Sequence, residues 1–214
     1  MNAALGRYSY ALNYSQSENQ YAAYFCDEKR STLLVSDQNY LVKQMTESIL
    51  SIGLSNPKSP TNVGLIMRAA GCFEVSSVFY TGERYDRAAP FNTDTQNASL
   101  RIPLTWVPSL PGDVDDNTQV VCVELVEGAT PLPMFQHPGK ALYIFGPEDG
   151  TIDQKVIDQA DSVVFIPTIG SLNLAAAVNV MLYDRLAKMP GHDCYQALIR
   201  ESRDTNNHAK MKYT

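Results

Sequence analysis

The sequence predicts an α/β protein with a mainly parallel sheet and helices on both of its faces. Apolar runs of strand length recur at residues 49–54, 75–80, 119–125, 140–145 and 163–166. They are nearly continuous rather than alternating, as strands covered on both faces require. Segments of helical pattern, at 61–73, 153–160 and 174–188, fall between or after them, so that strand and helix alternate along the chain.

A chain of 214 residues leaves room for one sizeable domain with an extension. Its 44% hydrophobic and 19% charged residues fit a folded globular protein and not a disordered one. The formal net charge of −6 argues against a general nucleic-acid coat protein, but leaves a local basic surface open. Cys26, Cys72, Cys122 and Cys194 form no CxxC pair. The expectation is free, mostly buried thiols in a reducing compartment. No basic region followed by an apolar run stands at the N-terminus, so no signal peptide is expected and a cytoplasmic location is.

Residues 1–47 form an expected N-terminal extension. It is rich in tyrosine early on (Tyr8, Tyr10, Tyr14, Tyr21, Tyr24) and poor in periodicity. A short strand at 31–35 and a helix capped by Ser36 or Asp37 and running to about residue 48 are its expected elements. The domain at 48–189 then opens with the strand 49–54 and a turn-rich loop at 55–60. Thr61 or Asn62 starts a helix to about Phe73, with Leu65, Ile66, Ala69 and Ala70 among its apolar positions. The strand 75–80 completes a βαβ unit.

Residues 81–97 are polar and carry Arg84 and Arg87. A helix end and a short strand are expected over 99–107, and an acidic loop over 109–117. After the strand 119–125, Pro131, Pro133 and Pro138 punctuate a connection to the strand 140–145. That strand runs directly into Gly146-Pro-Glu-Asp-Gly150. The uncharged stretch 162–183 is long enough for a membrane span. Pro167, Gly170, Asn173 and Asn179 interrupt it, so it reads as a buried strand, a loop and a small-residue helix. The tail, 190–214, sets Arg200, Arg203, Lys210 and Lys212 against Asp193, Glu201 and Asp204. It fits a solvated terminus, or an arm on phosphate or on a partner subunit.

In an open parallel sheet, ligands bind beyond the carboxyl ends of the strands. The loops 55–62, 146–151 and 167–173 each follow a strand and contain Gly or Pro, which suits close approach of backbone to a flat polar molecule. None of them carries the dinucleotide GxGxxG or the phosphate-cradling GxxxxGK[ST]. There is no HExxH and no GxSxG, and His137, His192 and His208 are too scattered to suggest a metal. Ser171 has no histidine near it in sequence to make it a nucleophile.

Asn62-Val-Gly-Leu-Ile-Met-Arg68 resembles the first motif of the SpoU/TrmH family of RNA methyltransferases. Phe145-Gly-Pro-Glu-Asp-Gly150 resembles its second, and the run from Ile166 through Ser171-Leu-Asn-Leu-Ala175 its third. The motifs occur in order, each at a strand end, and the resemblance covers about residues 48–189. It implies the SPOUT fold, in which the C-terminal part, 141–188 here, is tied as a deep trefoil knot. It also implies a homodimer with the knot region and the closing helix at its interface.

By the same resemblance the cofactor is S-adenosyl-L-methionine, held by Gly146, Ile166 and Leu172, with Leu125 added. Taken alone these residues fit plain core packing. The implied reaction is methyl transfer to a ribose 2′-hydroxyl of tRNA or rRNA, with tRNA favoured. Arg68 would orient that hydroxyl and stabilise developing oxyanion charge, since a guanidinium is too basic to serve as a general base. Asn62 would cap its helix, Glu148 would pair with Arg68 or another cation, and Asn173 would pin the third loop or touch the substrate. Arg84, Arg87, the extension and the tail would contact RNA. Ala175 stands where many members carry a serine, which keeps a second reading open: a catalytically weak or inactive RNA-binding or assembly protein. A base rather than ribose methyltransferase is a third reading, against which Arg68 argues.

Overall fold

The structure is a computed structural model. It describes residues 49–88, 102–112, 114–189, 199, 206–209 and 211. The strand and helix expected within 31–48 lie outside the described residues, as does most of the tail. The chain divides into two compact units, Leu33–His192 and Met1–Thr32 with Asp193–Thr214. Every described strand lies in the first. Of the second, only residue 199, residues 206–209 and residue 211 are described.

The sheet holds β1 (Leu50–Leu54), β2 (Ser77–Tyr80), β3 (Leu104–Trp106), β4 (Gln119–Val123), β5 (Thr130–Pro131), β6 (Ala141–Phe145) and β7 (Ser162–Phe165), in the order β3-β2-β1-β6-β4-β7-β5. Every described pairing is parallel. The helices are α1 (Pro60–Cys72), α2 (Arg84–Ala88), α3 (Gln154–Ile157) and α4 (Leu174–Lys188), with a 3-10 turn at Leu132–Met134. The expected parallel α/β sheet is therefore present. The expected strands agree to within two residues at each end; residues 124 and 125, expected in the strand 119–125, belong to the following loop. The two-residue β5 lies inside the expected connection, since Pro131 and Pro133 mask so short an edge strand.

Alternation along the central strands sorts the side chains onto two faces. Ile52, Leu54, Val121, Tyr143 and Phe145 face one side with α1 and α4. Val120, Cys122, Leu142 and Ile144 face the other, with Ile152 and, from α3, Val156 and Ile157 packed on them. Ile52, Leu54, Tyr143 and Ile144 are completely buried. Each such aliphatic side chain contributes about 1.5–3 kcal/mol by leaving water, so Ile52→Ala would cost roughly 2–5 kcal/mol. Cys122 is buried and Cys72 exposed, and both are free, so only the first meets the expectation of a buried thiol.

A buried polar cluster fastens α4 to the connection before β6. The Arg185 guanidinium, 4% exposed, donates to the carbonyls of Pro138 and Gly139 and to the Tyr143 hydroxyl. His137 bridges Tyr143 Oη at 2.7 Å and Asp184 Oδ2 at 2.9 Å. Lys188 Nζ donates to Leu132 O at 2.6 Å. Among the described residues no helix is long and apolar enough to cross a membrane. The stretch 162–183 is β7, a loop and most of α4.

Candidate functional site

The central strands share one register, with Leu54 beside Phe145 and Phe145 beside Val123. Their carboxyl ends therefore finish in one row, and the loops that follow them meet. Ser55 N–H donates to Phe145 O and Thr81 N–H to Leu54 O, extending the ladder by one step. A cavity of about 360 Å³ opens beyond this row. Its size falls at the small end of ordinary ligand pockets.

The first loop closes on the second through one carboxylate. Glu148 accepts from Lys58 N–H at 2.8 Å, Ser59 N–H at 3.0 Å and Asn62 Nδ2 at 3.1 Å. Partial burial would raise its carboxyl. The hydrogen bonds from Lys58, Asn62 and Ser59 outweigh that and hold it below the usual carboxylate range. The expected partner was a cation such as Arg68. Glu148 instead satisfies donors before and within the first turn of α1, where N–H groups lack intrahelical partners and the helix dipole favours negative charge.

Asn62 is not the cap of α1. Ser59 is: its hydroxyl accepts from Asn62 N–H, and Pro60 occupies the first helical position with a φ already suited to it. That frees the Asn62 side chain to face Glu148 and the cavity. Asn173 does cap its helix, α4, accepting from Ala176 N–H at 2.7 Å, and also lines the cavity.

Gly146, Ile166, Leu172 and Leu125 all line the cavity. Leu125 stands one residue beyond Glu124, past the end of β4, and is 70% exposed. A side chain at Gly146 has no room: its Cβ would lie 2.9 Å from Glu124 Oε2 and 3.3 Å from Ile152 N. Backbone is thus bare to the cavity at the end of β6.

Arg68, Arg84 and Arg87 are not part of the cavity wall. Arg68 is on the solvent face of α1, beside exposed Leu65, and its side chain makes no ion pair or hydrogen bond among the described residues. Arg84, at the start of α2, makes a two-pronged pair with Asp149 at 2.8 and 2.9 Å, and Lys58 approaches the same carboxylate. The hydrogen bond from Arg84 holds the Asp149 carboxyl below its ordinary range. Arg87 pairs with Glu83 one helical turn away.

Glu124 was missed. It follows β4 directly, lines the cavity, and accepts from Ile152 N–H at 3.0 Å and Leu125 N–H at 2.9 Å. The signal available was a carboxylate set immediately after a run of buried strand residues. Thr168 and Ser171, also on the wall, lie in the loop already singled out.

A parallel sheet with a cavity at its carboxyl edge, walled by the strand ends and the segments that follow them, is the arrangement in which α/β proteins commonly hold small ligands. The sequence matches the model of the SpoU rRNA Methylase family over residues 49–183, and the chain belongs to that family.

Among curated relatives, a tRNA/rRNA methyltransferase of Synechocystis, described as uncharacterised, is 31% identical over 144 residues, or 63% of this chain and 52% of the relative. The 23S rRNA (uridine(2479)-2'-O)-methyltransferase of Streptomyces viridochromogenes is 29% identical over 151 residues, or 64% of this chain and 52% of the relative. The chain thus spans about half the length of these relatives. Among solved structures, the SpoU methyltransferase AviRb of S. viridochromogenes in complex with AdoMet shares the fold at a TM-score of 0.56 and 23% identity, over 66% of this chain and 58% of that one. A TrmH/SpoU tRNA modifying enzyme of A. aeolicus does so at 0.57 and 16% identity, over 79% of this chain and 96% of that one.

Proposed function

We propose that the chain is an S-adenosyl-L-methionine-dependent methyltransferase acting on a ribose 2′-hydroxyl of tRNA or rRNA, with tRNA the favoured substrate. The carrying observation is that residues of all three motifs line one cavity. The residues present suit the cofactor. Leu125, Ile166 and Leu172 offer apolar surface for a flat base, and bare backbone at Gly146 allows close approach. Asn62, Thr168 and Asn173 offer polar groups at the same wall.

When bound, the cofactor supplies an electrophilic methyl group on a sulfonium sulfur. The chain's own task is then to position the acceptor hydroxyl and to stabilise the negative charge that develops on it. Arg68 is the residue for that role, its guanidinium being exposed and without a partner among the described residues. Because it stands outside the cavity wall, bound RNA or a second copy of the chain must bring it to the reaction. A homodimer is part of the proposal for this reason. Leu65 beside Arg68, and Val180 and Tyr183 on α4, are exposed apolar positions that a second copy would cover. The trefoil knot over 141–188 also belongs to the proposal, on the ground of family membership. A cytoplasmic setting goes with an RNA substrate and with free thiols at Cys72 and Cys122.

The inactive reading rests on Ala175. That residue is 3% exposed and packs in the core between α4 and the sheet; its neighbours Leu174 and Ala177 line the cavity and it does not. An alanine there leaves no buried hydroxyl to satisfy and removes nothing from the site, which favours the catalytic reading.

The test is calorimetry with S-adenosylmethionine and its demethylated product, followed by transfer of labelled methyl to RNA from a strain lacking the protein. Binding, and label recovered in nuclease-resistant dinucleotides, are expected. Absence of both would overturn the proposal. Binding without transfer to any RNA would favour the assembly role, and label on a base would move the reaction off the ribose.

A further inference from the structure

We propose that Glu124 is the residue that recognises the cofactor ribose, its carboxylate accepting hydrogen bonds from the vicinal 2′- and 3′-hydroxyls. The proposal rests on the methyltransferase reading above and assigns a recognition residue within the same site, outside every motif that suggested that reading.

The backbone of Glu124 is fixed before its side chain is considered. Its N–H donates to Val164 O at 2.9 Å, continuing the β4–β7 ladder one residue beyond the last strand residue. Its side chain is then held at two points. Oε2 takes the Ile152 N–H at 3.0 Å and Oε1 the Leu125 N–H at 2.9 Å. The carboxylate lies against Gly146, so closely that a Cβ there would be 2.9 Å from Oε2. It is therefore a rigid group at the cavity wall where β4 and β6 end side by side.

Each carboxylate oxygen has two acceptor sites. One on each is filled by backbone, and one on each remains. No Lys, Arg or His pairs with Glu124 among the described residues. The carboxylate thus presents an oriented fork of two acceptors to the cavity.

A fork of two acceptors is matched by two adjacent donors. A vicinal diol provides them in one rigid ring, whereas a sulfonium has no donor. The neighbouring wall narrows the choice further. Leu125 follows Glu124 in the chain, and Ile166 and Leu172 line the same cavity, giving apolar surface for the base. The ribose is bonded directly to the base, so a group beside that surface is placed to reach the ribose. This recognition also explains why Gly146 must lack a side chain: any Cβ would displace the fork.

The experiment is a binding cycle by calorimetry. Wild type and Glu124→Gln are each titrated with S-adenosylhomocysteine and with its 2′-deoxy and 3′-deoxy analogues. Glu124→Gln keeps one acceptor for Ile152 N–H and exchanges the other for a donor. Because two ligands are compared on one protein, any loss of stability cancels. A hydrogen bond to a charged acceptor contributes enough that wild type should prefer the intact ribose by about tenfold to a hundredfold. In Glu124→Gln that preference should fall to within about threefold. Glu124→Ala is the second variant, and should show the same collapse.

A preference left unchanged by both substitutions overturns the assignment, as does a wild type that binds intact and deoxy ligands equally. A variant that weakens S-adenosylmethionine more than S-adenosylhomocysteine, with the ribose preference intact, also overturns it by assigning Glu124 to the sulfonium charge. If wild type binds none of these ligands, the methyltransferase reading falls as well, a result distinct from the others.

Discussion

The Asn62 side-chain amide donates to Glu148 Oε1 across 3.1 Å, joining residues 86 positions apart. With the Lys58 and Ser59 N–H groups on the same carboxylate, it makes the start of α1 and the loop after β6 one mechanical unit. Glu148 thus organises the site by holding two loops together, not by neutralising a cation.

Replacing Glu148 by Gln removes the charged acceptor while keeping the shape. A loss of about 1 kcal/mol is expected at neutral pH, since the bonds are partly solvated. The sign with pH follows from the lowered carboxyl. The wild-type contribution is fully present above the ordinary glutamate value of about 4.3 and is lost as pH falls through the folded value below it. Thermal melts taken from neutral pH into this acid range should converge for wild type and E148Q. A gap that stays constant to the lowest pH would contradict the account.

Arg68→Ala removes no side-chain hydrogen bond or ion pair among the described residues, because Arg68 is exposed and has no such partner there. Its melting temperature should match wild type, and cofactor affinity should stay within a few-fold. Methyl transfer should fall by at least about a hundredfold if the guanidinium stabilises the developing oxyanion. A variant with near-normal kcat would remove Arg68 from the chemistry.

Gly146→Ala places a methyl where Glu124 Oε2 and Ile152 N already stand. Something must move: Glu124 is on the cavity wall, and Ile152 N–H holds its carboxylate there. Overpacking of this kind costs roughly 1–3 kcal/mol. Cofactor affinity should drop by more than tenfold for the same reason, measured by calorimetry on the folded variant. Undiminished affinity would show that the end of β6 is not a contact surface.

His137 makes the stability of the α4 attachment depend on pH. Burial disfavours its charged form, and nearby Arg185 and Lys188 add to that against the Asp184 carboxylate, so its pKa is lowered. Asp184, Arg185, Lys188 and the Tyr143 hydroxyl are the groups that face it. The stability it contributes is present above the unfolded histidine value of about 6.5 and is lost as pH falls from there toward the folded value. His137→Phe should be less stable than wild type at pH 8 and should lose less on going below 6.5. Parallel curves for the two proteins would refute this.

The strands were legible because a parallel strand covered on both faces must be apolar at nearly every position, and the runs ending at Leu54 and Phe145 are. The positions of the motif loops followed from the strands, since a parallel sheet sends the loops after its strands to one edge. Other features were not legible. Ser59 displaced Asn62 as the cap because Pro60 fixed where the helix could begin. Glu148 and Asp149 are neighbours in sequence, yet one binds the start of α1 and the other Arg84, a division set by which way each side chain leaves a loop. Glu124 lay in no motif.

By itself, then, the sequence determined the parallel class of the sheet, its longer strands and three of the stretches that reach the site, because apolar periodicity is a local property of the chain. Only the tertiary structure decided which polar groups meet. Asn62 with Glu148, Arg84 with Asp149, and Glu124 with Ile152 are partners distant in sequence. Hydrogen bonds of a few ångströms depend on where the folded backbone places both ends, and no local pattern records that.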